Sequence, residues 1–414
     1  MIPRAVILAI GDELLLGRTQ DTNTAYLARW CQDHGIRVVR SAILGDDEAQ
    51  MVAAMAAAAA EADLVLITGG LGPTRDDRTR HALAAAAGVP LRQSASAWKQ
   101  IQAYYGRVRP GEAVPESNRR QALTPRGAQL LRNDRGTAPG LAVAVAESWL
   151  VALPGVPVEM YAMLERLAPR LATWFPQHRI PVVQELHLCG LGESAVQDQL
   201  GDLLEGDGRL SVGITAHEAG HITIRVVGSA SAGRRRLAAC AALLGPWVLP
   251  EAGVVPSLVH VLRRRGLTIS AAESCTCGQV AALLGAVPGV SAVLEESLIT
   301  YANQAKIRYL GVSDWLIEQN GVVSEACAQA MAEGMRLRSG ADLAVATTGI
   351  AGPDGGTRAK PVGSVWIAVA SRQGLSTRCL QLHGDRQRIQ RRAAIAALRL
   401  AWEHVRRPAR TPNP

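Results

Sequence analysis

The sequence predicts an α/β protein: two α/β domains with a smaller α+β unit between them. Three observations carry this. Short continuous apolar runs alternate with helix-length segments over residues 1–165 and again over 257–405, the order expected of parallel sheets covered on both faces. Residues 175–250 switch to apolar–polar alternation with two helical stretches, the mark of a small antiparallel unit. The 414 residues suffice for several domains of ordinary size.

Hydrophobic residues make up 48% and charged residues 19%, which excludes a disordered chain, a collagen or a pure coiled coil. The alanine-rich run 51–61 is shorter than the roughly 20 apolar residues of a membrane span. The N-terminus enters a strand-like segment without a cleavage site, so a cytoplasmic protein is expected, with no membrane association. Seven cysteines, an odd number in a chain this long, argue against a disulfide framework. A net charge of +8 permits phosphorylated ligands but, spread over the whole chain, does not by itself argue for nucleic acid.

Taken in order, Arg4–Ile10 is an apolar strand, Asn23–Asp33 a helix closed by Gly35, Arg37–Leu44 a strand and Glu48–Glu61 a helix. A strand at 63–68 leads into the loop Gly69-Gly-Leu-Gly-Pro-Thr74 and a helix from about Asp76. In the middle unit, 182–188 is a strand, 194–204 a helix, Leu210–Ala216 and 221–227 two antiparallel strands, and 234–244 a helix. Pro246, Pro250 and Pro256 mark a linker. In the last domain, strands are expected at 268–272, 297–301, 342–347 and 363–370. The helices there fall at 278–284, 304–310, 324–338 (capped by Ser324) and Arg386–Arg406, and residues 408–414 fray.

Ligands in such sheets sit beyond the carboxyl ends of the strands, and the loops there carry the chemistry. Gly69, Gly70 and Gly72 let backbone N–H groups approach a phosphate, with Thr74 beside them and a helix following. Asp76 and Asp77 come next. They read either as ligands of a divalent ion on pyrophosphate oxygens or as two acids that suit a helix dipole, and the residues alone leave both readings open. Gly11-Asp-Glu-Leu-Leu-Leu-Gly17, with Glu13, Asp21 and Asn23, ends the first strand and would face that loop. His217-Glu-Ala-Gly-His221 matches a zinc pattern, but its flanks are strands and Ala219-Gly220 reads as a turn, so no zinc is expected.

The chain holds three lysines, Lys99, Lys306 and Lys360, against 41 arginines. A lysine retained in such a chain is a candidate for a role that requires losing its proton. Ala272-Glu-Ser-Cys-Thr-Cys-Gly278 places Ser274 at a strand-to-helix turn, where helix N–H groups could stabilise an oxyanion. Tyr301 and Lys306 occupy the next such junction, with Lys306 in a first helical turn whose field lowers its pKa towards that of a base. A Ser cap, a packed Tyr and a surface Lys are the plainer reading, and Cys275 is a rival nucleophile. Thr347-Thr-Gly-Ile-Ala-Gly-Pro-Asp-Gly-Gly356, followed by Lys360, is a further glycine-rich loop suited to phosphate or ribose.

These stretches, with Asn118-Arg-Arg-Gln-Ala122, Gly136-Thr-Ala-Pro-Gly140, Leu153-Pro-Gly-Val-Pro157, Val323-Ser-Glu325 and Lys360-Pro-Val-Gly363, resemble the competence/damage-inducible protein A (CinA) family over nearly the whole chain. The resemblance implies a molybdopterin-binding-like domain over 1–170 and a K-homology-type α+β domain over 171–250. It further implies a nicotinamide-nucleotide amidase domain over 255–405 and a tail over 406–414. The last domain would deamidate nicotinamide mononucleotide to nicotinate mononucleotide and ammonia through Ser274, Tyr301 and Lys306. Thr276, Gly278, Thr348, Gly349, Gly352 and Lys360 would contact the substrate. The first domain would cleave ADP-ribose at its pyrophosphate, held by Asn23, Gly69, Gly70, Gly72 and Thr74. A divalent ion (Mg, Mn, Co or Ni) on Glu13, Asp76 and Asp77, together with K+, would assist. A homodimer is implied. Residues 175–250 carry no G-x-x-G loop to clamp nucleic acid, which is not an expected partner. Three positions depart from the family pattern: Cys277 stands where Gly is usual, Gln390 follows Ile389 in place of Arg, and His81 stands where an acid is common. The competing readings are a non-catalytic binding protein linked to competence or DNA damage, and a first domain that only binds a pterin or nucleotide.

Overall fold

The structure, a computed structural model, describes residues 2–177, 181–207, 210–217 and 220–406; the stretch 408–414, expected to fray, lies outside them. The chain divides into two compact units, Met1–Val183 and Gln184–Pro414. No described helix is long and apolar enough to cross a membrane.

The first unit opens with the strand Arg4–Ile10 (β1), the helix Asn23–Asp33 (α1), the strand Arg37–Leu44 (β2), the helix Glu48–Glu61 (α2) and the strand Leu64–Thr68 (β3). The next helix, Thr79–Ala86 (α3), starts three residues later than expected. Asp76 and Asp77 therefore lie in the loop before it and not in its first turn. The helix Ala95–Val108 (α4), the strands Gln129–Leu131 (β4), Gly140–Val145 (β5) and Ser148–Leu153 (β6), and the helix Pro157–Trp174 (α5) complete the unit. The sheet order is β2-β1-β3-β6-β5-β4. The first four strands are parallel, while β5 and β4 turn antiparallel through a tight hairpin at Ala146 and Glu147. The sheet is thus mixed, because a two-residue connection can only reverse the chain.

Strand β1 is buried on both faces, which is why it reads as an unbroken apolar run. Ala5 and Ile7 pack with Leu27, Met160 and Leu164 of α1 and α5, whereas Val6 and Leu8 pack with Met51, Met55 and Leu83 of α2 and α3. Strands β1 and β3 are neighbours, with Ala9 opposite Thr68, so the loops after them emerge side by side.

The second unit begins within the strand Val182–Cys189 (β7). The helix Glu193–Leu200 (α6), the strands Leu210–Ala216 (β8) and His221–Gly228 (β9), the helix Ala230–Leu244 (α7) and the short strand Val248–Leu249 (β10) follow. They form a four-stranded sheet, β8-β9-β7-β10, over a core of Leu188, Val196, Ile224, Cys240 and Leu244. The expected linker is more ordered than its prolines suggested. β10 pairs antiparallel with β7, and Pro256 sits in the first turn of the helix Val254–Arg265 (α8), where a missing N–H costs nothing.

Beyond α8 come the strand Ile269–Glu273 (β11), the helix Gln279–Gly285 (α9), the strand Leu294–Ile299 (β12), and the helices Asn303–Leu310 (α10), Asp314–Asn320 (α11) and Glu325–Ser339 (α12). The strands Leu343–Gly349 (β13), Ser364–Ser371 (β14) and Gly374–Gln381 (β15) and the helix Arg386–Arg406 (α13) close the unit. The order is β12-β11-β13-β14-β15, with β12, β11 and β13 parallel and the last two antiparallel. Ser324 caps α12 as expected, its side chain accepting from the Cys327 amide. One face carries the larger residues Ile269, Val345, Ile367 and Val369 against α8 and α13. The other carries Ala272, Ala344, Ala346, Ala368 and Ala370 against α12. Small residues there let α12 approach closely.

Helix α12 in turn lies tightly under the end of α10, which carries Lys306. A Cβ added at Gly334 would stand 1.8 Å from the Leu310 carbonyl oxygen. Gly334→Ala should therefore destabilise the protein by about 1–3 kcal/mol, the cost of overpacking. The expected readout is a lower denaturant midpoint at unchanged slope; an unchanged midpoint would show that α10 yields without cost.

Candidate active sites

The first candidate site forms where β11 ends. Glu273, the last residue of that strand, is fully buried. Its carboxylate accepts from the Thr276 hydroxyl at 2.7 Å and from the amides of Gly278 at 2.9 Å, Val280 at 3.1 Å and Ala281 at 2.9 Å. It fills the N-terminus of α9, a favourable place for an anion. The turn between carries two left-handed residues, Cys277 (φ 50°) and Gly278 (φ 94°). Gly278 adopts this without cost. Cys277 does not, which is the physical content of the glycine usual at that position.

The helix N–H groups expected to hold an oxyanion are therefore largely taken by Glu273. Within the turn, the amides of Cys275 and Thr276 are the two with no carbonyl or carboxylate partner. Ser274 itself is anchored by its amide to the Thr347 carbonyl and is 8% exposed.

Lys306 reaches the same point from α10. It is 1% exposed, and its Nζ lies 3.1 Å from Ser274 Oγ, 2.9 Å from the Thr300 carbonyl and 2.9 Å from the Tyr301 carbonyl. Burial holds the amine below its ordinary pKa, with the neighbouring thiols of Cys327 and Cys275 acting weakly the other way. Ala302 is the N-cap of α10, so Lys306 ends its first turn. The other lysines are elsewhere: Lys99 is exposed, and Lys360 Nζ donates to the Asn320 carbonyl at 3.3 Å.

Tyr301 meets Lys306 through its carbonyl, not its ring. Its hydroxyl lies 2.9 Å from Arg386 Nη2, and Arg386 Nη1 donates to the Gly352 carbonyl at 2.7 Å. Arg386 thereby ties the Tyr301 junction to the glycine-rich loop. The Thr276 hydroxyl sits between Glu273 and Thr347 Oγ1, and the Thr348 hydroxyl donates to the Val322 carbonyl at 2.7 Å. Gly349 is part of β13, where a Cβ would stand 2.7 Å from the Ser364 carbonyl oxygen. Thr276, Gly278, Thr348 and Gly349 thus build the walls of the turn and the sheet edge. Cys275 packs in the core with Val280 and Ile389, its thiol pushed up to about 12 by burial, which disfavours the thiolate a cysteine nucleophile needs. The carbonyl of Cys275 accepts from Gln390 Nε2 at 2.8 Å, so the residue that departs from the family pattern on α13 holds the nucleophile turn.

The second candidate site is a cleft of about 490 Å3 in the first unit, at the carboxyl ends of β1 and β3. The two loops share it as expected: Glu13, Asp21 and Asn23 line it with Gly69, Gly70, Gly72 and Asp77. Gly69 (φ 104°) is obligatory, since a Cβ would stand 2.2 Å from the Ile10 carbonyl oxygen. Asp77 closes the loop on itself: its carboxylate accepts from the Gly72 amide at 2.7 Å, from the Thr74 amide at 2.8 Å and from the Thr74 hydroxyl. Arg80, 1% exposed, donates to the Gly72 carbonyl at 3.2 Å and to that of Leu71. Asn23 Nδ2 donates to Thr68 Oγ1 at 3.0 Å and to the Gly155 carbonyl at 2.8 Å, leaving its buried Oδ1 without a partner on the cleft wall. Glu159, also on this wall, accepts from Asn133 Nδ2 at 2.6 Å, and burial raises its carboxyl above the usual range.

Of the three expected metal ligands, Glu13 and Asp77 share the cleft wall; Asp76 is exposed and does not line it. Hard oxygen donors beside a phosphate cradle fit a small divalent ion that takes one or two carboxylates and completes its shell with substrate oxygens. Among the described residues no group of three or more acids, histidines or cysteines is arranged to hold a metal by itself. The zinc pattern is not helical: His217 and His221 flank the β8–β9 hairpin, their rings stacked at 4.2 Å, while Glu218 and Ala219 lie outside the described residues.

Glu273, Arg386, Arg80 and Glu159 were given no role from sequence. Only Glu273 carries a sequence signal, as a lone acid ending an apolar strand just before the candidate nucleophile.

Three family models match the chain. Residues 6–173 match a family model described as a probable molybdopterin binding domain, 184–246 match the damage-inducible protein CinA KH domain, and 252–405 match the CinA C-terminal domain. A putative competence-damage inducible protein of Symbiobacterium thermophilum is 40% identical, over 97% of this chain and 98% of that protein. CinA-like proteins of Geobacter metallireducens (38% identical, 95% of this chain and 97% of that protein) and Anaeromyxobacter dehalogenans (40%, 95% and 98%) are similar throughout.

Five of the seven cysteines are buried, and Cys277 and Cys379 are exposed. A thiol reagent should therefore titrate those two fast in the native protein and all seven after denaturation, since burial keeps the others as thiols. Fast modification that persists in a Cys277→Ala, Cys379→Ala double variant would contradict the inward orientation of Cys275.

Proposed function

The chain belongs to the CinA family, and on that premise we propose that it is a bifunctional hydrolase of pyridine-nucleotide recycling, assembled as a homodimer. Its C-terminal domain would deamidate nicotinamide mononucleotide. The observation that carries this reading is the buried Lys306 amine 3.1 Å from Ser274 Oγ. A neutral amine there has two N–H groups for the carbonyls of Thr300 and Tyr301 and a lone pair left for the serine hydroxyl. Ser274 Oγ attacks the carboxamide carbon as its proton passes to Lys306 Nζ. The resulting ammonium hands that proton to the departing amine, which leaves as ammonia. Water then attacks the acyl-enzyme, giving one proton to Lys306, which returns it to Ser274 Oγ as the ester C–O bond breaks, and the nicotinic acid product loses its own proton to solvent to leave as the carboxylate. The amides of Cys275 and Thr276 are the donors available to the oxyanion. Tyr301, paired with Arg386, and the loop of Gly352 border the same turn and serve the nucleotide part of the substrate; Lys360 lies on the return of that loop.

The N-terminal cleft would bind ADP-ribose and cleave its pyrophosphate. Glu13 and Asp77 would hold the divalent ion, which when bound supplies charge neutralisation at the phosphate oxygens; K+ would be a second requirement. The orphaned Asn23 Oδ1 and the half-buried Glu159 offer acceptors to ribose hydroxyls.

Three outcomes test the reading. Ser274→Ala and Lys306→Arg should each lower deamidase kcat/KM by a factor on the order of 10²–10⁴, because an arginine cannot give up its proton near neutral pH. The wild-type rate should fall as pH drops through the lowered Lys306 pKa, where the base becomes charged. Substantial turnover in Lys306→Arg would end the general-base assignment. Asp77→Asn should abolish ADP-ribose cleavage and leave deamidation intact, since it both removes a carboxylate and puts an amide N–H against the Gly72 or Thr74 amide. Loss of both activities would mean damage beyond the loop.

A further inference from the structure

The first unit has a second cavity, of about 310 Å3, that shares only Asp77 with the cleft. Its wall brings together Arg75, Arg78, Arg80, His81 and Arg120. Asp77 is the carboxylate facing them, and its oxygens are already engaged by the Gly72 and Thr74 amides and the Thr74 hydroxyl. Arg78 has a half-exposed partner, Glu48, at 3.1 Å. Arg75 and Arg120 have no ion-pair partner among the described residues. Four arginines thus line the cavity against one lining carboxylate, an arrangement that attracts an anion.

Two residues of this wall also hold buried nitrogens without partners. Arg80 is 1% exposed, and while its terminal nitrogens serve the Leu71 and Gly72 carbonyls, its Nε is buried without a partner. His81 Nδ1 is likewise buried and unpartnered. A buried polar atom left unmatched is unfavourable, and beside a cationic cavity an anion is the natural match for a donor. Arginine forks suit the tetrahedral, multiply charged oxygens of a phosphate. The acid common in the family at position 81 would put a second carboxylate on this wall, so the charge balance belongs to this chain.

We propose that this cavity is a phosphate-binding site, taking a phosphate group either as the free ion or as the monoester of a nucleotide. The proposal does not depend on which reaction the adjoining cleft performs.

Isothermal titration of the full chain with inorganic phosphate and, separately, adenosine monophosphate tests it. Neither Arg120 nor His81 lines the cleft, so Arg120→Ala and His81→Glu isolate the cavity. Saturable binding is expected in the wild type, weakened about tenfold or more in each variant, the loss of a charge-assisted hydrogen bond. Melting curves without ligand should match the wild type. If Arg120→Ala melts early, the exposed Arg75→Ala replaces it. Phosphate binding as tight as the nucleotide assigns the free ion; a nucleotide at least tenfold tighter assigns the monoester. No saturable binding of either ligand, or binding unchanged in both variants, overturns the proposal.

Discussion

The C-terminal site depends on one buried carboxylate. Glu273 has no exposure to solvent, and an unpaired charge there would be prohibitively costly. It is tolerated because four donors meet it, three of them amides at the start of α9. Those bonds draw the chain into a sharp turn, and the turn sets where Ser274 points. They also consume the amides of the helix N-terminus, which leaves those of Cys275 and Thr276 as the unengaged donors of the turn.

Lys306 completes the site by the same economy of partners. An ammonium stripped of water is disfavoured, and its pKa falls accordingly. The two carbonyls of the Thr300–Tyr301 junction and the Ser274 hydroxyl give the buried amine its three hydrogen-bond partners. The helix that carries it is fixed from below by α12, which comes close because Gly334 has no side chain and because the sheet presents alanines to that helix. Packing at a distance thereby defines a distance of 3.1 Å at the site.

The first unit solves an analogous problem with the roles divided. Its glycine-rich loop is held from inside by Asp77, which takes the amides, and by Arg80, which takes the carbonyls. An acid that closes a loop in this way remains on the wall of the cleft. Its neighbour Asp76, three residues before α3 begins, faces solvent instead.

The sequence by itself determined the strands and helices whose signals are local. β1, α1, β2, α2 and α13 lie where the apolar runs and glycine stops put them, because a strand buried on both faces must be continuously apolar and a helix must repeat at its own period. The rarity of lysine singled out Lys306 before any contact was known. Tertiary structure alone decided what depends on convergence. β15 exposes most of its residues and carries no periodic signal, so only its pairing with β14 makes it a strand. The start of α3 was displaced because Asp77 bonds backward to the loop. Tyr301 was expected beside Ser274 and Lys306, but that its carbonyl faces Lys306 while its hydroxyl faces Arg386, a residue 85 positions away, only the fold decides. Arg386 gains its role from Gly352 and Tyr301, partners that no spacing rule brings near it, since hydrogen bonding is short-ranged and the chain must fold before such groups meet.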